Sequence, residues 1–139
     1  MVLNSGGAVP GDEYTESLFE NPGNGNNWIA VRLVGVKTNR AAIGAKIRVT
    51  LPDASSGSAL RYREVTSGGS FGATTLTQHI GIGKATTIAK LEVIWPVSRT
   101  VQVFQNVPIN RVLQIRELDQ GYTFVTTKRF TLAGSSTEQ

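Results

Sequence analysis

The sequence predicts an all-β fold, an antiparallel β-sandwich or partly open barrel of about seven to eight short strands. Three observations lead there. Apolar and polar residues alternate over short runs, turn signals rich in Gly, Pro, Asn and Ser recur roughly every 8–14 residues, and no segment keeps a helical period for longer than a turn.

Residues 28–36 (WIAVRLVGV) place Ile29, Val31 and Leu33 at alternate positions, and residues 45–51 set Ala45, Ile47, Val49 and Leu51 against Lys46, Arg48 and Thr50. Both predict half-buried strands. KTNRAAIG between them, with Asn39 and Gly44, predicts a turn or bulge. A loop over 52–59 leads to strands over 60–66 (LRYREVT) and 74–82 (TTLTQHIGI), joined by the glycine-rich SGGSFGA. Residues 87–95 alternate Ala89, Leu91, Val93 and Trp95 against Lys90 and Glu92, and the turn Pro96 to Arg99 ends that run. Strands over 100–104 and 111–117 flank a second turn, NVPIN. The β domain is expected over 21–120. Residues 1–20 read as a peripheral segment with TESLFE as its strand-like stretch, and 121–139 as an edge strand followed by a polar tail.

With 139 residues, 40% hydrophobic and 17% charged, the chain suits one folded domain, and no apolar run approaches the roughly 20 residues of a membrane-spanning helix. The absence of cysteine excludes disulfides and thiolate metal sites but leaves the compartment open. MVLNSGGAVPGDEY lacks the charged start and apolar core of a signal peptide, so in a secreted protein this chain is expected to be a fragment. The net charge of +4 comes from scattered Lys and Arg, which fits a solvated basic face better than a nucleic-acid site. A nucleic-acid face would need Arg32, Lys46, Arg48, Arg61 and Arg63 on paired strands.

Gly68-Gly69-Ser70-Phe71-Gly72 fits the G-x-S-x-G pattern of a hydrolase elbow, and the single histidine, His79, follows. That chemistry needs a helix after the serine and an acid between serine and histidine. Neither is present in the pattern, so the stretch reads as a glycine-rich turn and His79 as a part-exposed strand residue. GIGKAT at 81–86 lacks the spacing and the hydroxyl of a phosphate loop and reads as a β-turn. Asp12, Asp53 and Asp119 are isolated, so no metal, cofactor or catalytic residue is expected. Core packing is expected of both Trp28 and Trp95. Tyr62 and Phe71, with Ser70, Arg61 and Arg63 nearby, are the candidate ligand-binding residues, placed to stack on a sugar if they flank one surface loop.

NPGNGNNWIAVRLVGVKTNRAAIGAKIRVT (21–50), REVTSGGSFG, HIGIGKAT and LEVIWPVSRTVQVFQNVPINRVLQIRE together resemble the ASPIC/UnbV domain, in the family's order, over roughly residues 18–118. Such domains usually follow FG-GAP or VCBS repeats, which resemble the blades of an integrin-type propeller and often carry calcium loops. SLFENPGNGN looks like the last edge of such a blade. The chain departs from many relatives at Phe71-Gly72-Ala73-Thr74-Thr75-Leu76, where they carry Tyr-Leu-Ser-Gln. The resemblance implies no catalytic residues. It implies a secreted or cell-envelope adhesion or protein-interaction module packed against an upstream calcium-binding propeller, with a protein or glycan partner. The alternative expectation is a carbohydrate-binding sandwich using loop aromatics.

Overall fold

The structure, a computed structural model, describes residues 2–4, 17–19, 23–52, 60–69 and 72–127. In chain order its strands are β1 (Val2–Asn4), β2 (Ser17–Phe19), β3 (Asn27–Val34), β4 (Lys46–Thr50), β5 (Leu60–Glu64), β6 (Gly68–Gly69), β7 (Gly72–Ala73), β8 (Gln78–Gly83), β9 (Ile88–Ile94), β10 (Val101–Val107), β11 (Val112–Arg116) and β12 (Tyr122–Phe124). Two four-stranded sheets make a β-sandwich: β10-β9-β4-β5, here the first sheet, and β12-β11-β3-β8, the second. Pairing within them is antiparallel except between β3 and β11, which run parallel with all of the first sheet inserted between them in sequence. Strands β1 and β2 pair with each other, and β6 with β7.

Period-two alternation builds the core. Ile29, Val31, Leu33, Ile80, Ile82, Leu113 and Ile115 of the second sheet meet Ile47, Val49, Leu91, Val93 and Phe104 of the first. Each such side chain contributes about 1.5–3 kcal/mol on burial. Trp95, just past β9, is fully buried, and its indole N–H donates to Oε1 of Gln102. Trp95→Phe keeps most of the volume but strands that carbonyl, and a loss of about 1–2 kcal/mol in urea denaturation is expected.

Trp28 does not join the core. It is 39% exposed, because the parity that turns Ile29 and Val31 inward turns residue 28 to the outer face of the second sheet. The strand expected over 74–82 starts only at Gln78, since Thr74 Oγ1 donates to the Thr66 carbonyl and Thr75 Oγ1 accepts from the Thr77 N–H, side-chain bonds that replace a ladder. The 81–86 turn forms as expected, with Gly83 at φ 63° and the Ala85 N–H donating to the Ile82 carbonyl. The glycine-rich stretch joins β5 to β8 through the short β6–β7 pair.

Candidate recognition surfaces and a buried carboxylate

Glu117 immediately follows β11 and is fully buried. Its Oε2 accepts from the backbone N–H groups of Val36, Lys37 and Thr38 at 2.7, 2.7 and 2.8 Å, and its Oε1 accepts from the hydroxyls of Thr38 at 2.9 Å and Ser98 at 2.5 Å. Three consecutive N–H groups converge because the 35–44 loop is tightly wound. A Cβ on Gly35 would lie 2.1 Å from the Asn39 carbonyl oxygen, and the Asn39 side chain bonds Ile43 both as donor (3.0 Å) and as acceptor (2.9 Å). Burial alone would push the carboxyl up, but the bonds from Ser98, Val36 and Thr38 outweigh it and hold the pKa at about 2. An ionised carboxylate saturated with donors has no lone pair left for proton transfer to a substrate. Glu117 is a clamp joining the 36–38 loop, the 96–100 turn and the end of β11.

The β4–β5 register pairs Arg48 with Tyr62, Ile47 with Arg63 and Val49 with Arg61. Tyr62, 53% exposed, therefore faces outward, whereas Arg61 and Arg63 lie on the core-facing side of the edge strand. Their guanidinium groups donate to the Leu60 and Tyr62 carbonyls at 3.2 and 2.8 Å. Arg48 sits 6.0 Å from the Tyr62 ring centre and pairs with Glu92 at 2.8 Å, which Lys90 also approaches at 3.3 Å. The sequence-predicted ligand residues are thus split between two faces, and Ser70 and Phe71 lie outside the described residues. The basic set is split too: Lys46 and Arg48 face outward, Arg61 and Arg63 face the core side, and Arg32 belongs to the other sheet.

The four sheet edges differ. Inward-pointing Arg61 and Arg63 protect β5, β8 carries Gly81 and Gly83 beside a register shift at Asn27/Trp28, and β12 has only three residues. β10 has none of these devices over Val101–Gln105, and only at its end does Asn106, at φ 51°, break the alternation so that Val107 is the buried residue. Its seven residues, VQVFQNV, carry no charge, proline or glycine, and no strand among the described residues pairs with its far side. Val101 and Val103 stand 52% and 49% exposed. A groove of about 260 Å³ runs beside them, lined by Gln102, Phe104 and Leu118 as well.

On the outer face of the second sheet, Trp28 is held by its backbone: its N–H donates to Asn110 Oδ1 at 3.1 Å, its carbonyl accepts from the Asn110 N–H at 2.7 Å, and Asn110 Nδ2 donates to Asn27 Oδ1 at 2.9 Å. His79, exposed on β8, has its ring centre 6.4 Å from that of Trp28. Beside Trp28 lies a cleft of about 350 Å³.

A model of the family described as ASPIC and UnbV matches residues 35–121, more than half of the chain. The chain belongs to the ASPIC and UnbV family. Neither a curated protein nor a solved structure matches it significantly. The segment matched to ASPIC and UnbV opens at Gly35 and closes at Gly121, so it contains the whole Glu117 clamp and the open edge β10. Trp28 and Phe124 fall outside it.

Two features of this ASPIC and UnbV chain depart from what its sequence predicts, for different reasons. The outward turn of Trp28 was visible in the parity of β3. The clamp was not, because an acid after a strand reads as solvated until the loop from the other side of the fold closes over it.

Proposed function

We propose that this ASPIC and UnbV domain is a non-catalytic recognition module of a secreted or cell-envelope protein, working in adhesion or protein–protein interaction beside an upstream calcium-binding FG-GAP/VCBS propeller. The observation that carries the reading is the open edge of β10 over Val101–Gln105, which no described strand pairs. An extended segment of a protein partner adds there as a fifth strand, its backbone supplying hydrogen bonds and its alternate apolar side chains meeting Val101, Val103 and Leu118. The setting and the neighbouring propeller are taken from the resemblance to other ASPIC and UnbV domains alone.

Val103→Lys places a charge where the added strand would pack and leaves the core untouched. It should change folding stability by no more than about 0.5 kcal/mol in denaturant titration, yet weaken partner binding at least about tenfold. The non-catalytic part is tested by assaying ester and peptide turnover with Ser70→Ala as control. Turnover that vanishes in the variant would contradict it.

A second reading, carbohydrate binding, is favoured by one observation, the part-exposed indole of Trp28 on a backbone held by Asn110. It moves the sugar site away from Tyr62, whose ring already has Arg48 near it.

A further inference from the structure

We infer that the partner at the β10 edge is a second copy of this chain, paired antiparallel through its own β10 about a twofold axis at Val103. The inference rests on the reading of β10 as the recognition edge and gives that edge an occupant. Backbone parity fixes which groups are on offer. The Trp95 N–H donates to the Thr100 carbonyl at 3.0 Å, so Thr100, Gln102 and Phe104 turn their N–H and C=O groups to β9, and Val101, Val103 and Gln105 turn theirs to the open side.

That set is complementary to itself. With the axis at Val103, Val103 opposes Val103 of the second copy and Val101 opposes Gln105, and each pair exchanges both of its N–H···O bonds. Moving the axis by one residue sets Gln105 opposite Arg99 or Val101 opposite Val107, across the backbone breaks at Arg99 (φ 56°) and Asn106 (φ 51°). The side chains fit the same axis. Val101 and Val103 stand on the outer face of the first sheet, 52% and 49% exposed, and pairing brings them diagonally against the same valines of the other copy. A charge anywhere from 101 to 105 would meet a like charge at or near the axis, and this stretch has none. The pairing also closes. The joined sheet runs β5-β4-β9-β10 and back in reverse, and both its ends are β5 edges guarded by Arg61 and Arg63, so addition stops at two copies. Five residues give about 17 Å of edge, a contact in the small class below roughly 1,200 Å², so a transient dimer with Kd on the order of 10–100 µM is expected.

Sedimentation velocity should show this monomer–dimer equilibrium, and as protein concentration rises the amides of Val101, Val103 and Gln105 should exchange more slowly while those of Gln102 and Phe104 hold their rates. Val103→Lys and Val103→Glu should each weaken the dimer at least about tenfold with unchanged circular dichroism, because like charges then face each other on the axis. An equimolar mixture of the two variants should recover a dimer within about threefold of wild type, as should Val103→Thr alone, which keeps a β-branched side chain. A chain that stays monomeric up to about 1 mM, a dimer untouched by Val103→Lys, or a mixture that recovers nothing overturns self-pairing. Peptide segments that still bind β10 would then leave the recognition reading standing, so the two failures are distinguishable.

Discussion

Glu117→Ala is expected to cost roughly 3–5 kcal/mol in urea denaturation, a large part of the 5–15 kcal/mol that holds a typical domain. The alanine leaves the N–H groups of Val36, Lys37 and Thr38 and two hydroxyls facing a cavity with no acceptor. Glu117→Gln keeps one carbonyl for the N–H groups, and the Ser98 and Thr38 hydroxyls can rotate to accept from the new amide, so it should cost about 1–2 kcal/mol. The pH dependence follows from the depressed pKa. Its stabilisation is fully present above the unfolded carboxyl value, near 4.5, and is lost as pH falls toward the folded value of about 2. Denaturation midpoints measured between pH 5 and pH 2, roughly that window, should therefore fall more steeply for the wild type than for Glu117→Gln. Parallel curves would show that the carboxylate is not the clamp.

Gly35→Ala should be almost as damaging, about 3 kcal/mol or more. Its added Cβ would meet two backbone oxygens, those of Asn39 at 2.1 Å and Thr38 at 2.5 Å, and backbone in a closed loop cannot rotate away as a side chain can. The Gly35 N–H also donates to the Arg40 carbonyl at 3.2 Å, so the whole turn must shift, and the N–H groups that hold Glu117 shift with it. The two substitutions damage one device. In the double variant their costs should add to less than the sum, with a coupling of about 1 kcal/mol or more in a double-mutant cycle. Strict additivity would mean that Gly35 serves the loop and not the clamp.

Much of this fold was legible because alternation is a local signal. Ile47 and Val49 against Lys46 and Arg48 already state which face of β4 is buried, and the core of the structure repeats that pattern. Long-range features were not legible. Alternation alone sets Arg61 and Arg63 opposite Tyr62, but nothing local tells that β5 pairs with β4, and it is that register, Arg63 beside Ile47 and Arg61 beside Val49, that makes theirs the core-facing side. The clamp unites residues separated by about 80 positions, Val36 and Glu117, so neither segment announces it. The open edge belongs to the same class. VQVFQNV reads as an ordinary strand, and only the sheet order reveals that nothing described covers it.

The recognition account turns on β10, and a counter-selection experiment tests it without a known partner. A library of random twelve-residue peptides would be selected on the wild-type domain and counter-selected on Val103→Lys, with hydrogen exchange of the β10 amides followed for the peptides recovered. The expected result is a set of sequences with alternating apolar residues that bind the wild type, fail on Val103→Lys and slow the exchange of amides within Val101 to Gln105. Peptides that bind both proteins equally, or that protect amides elsewhere while β10 exchanges as before, would contradict strand addition at this edge.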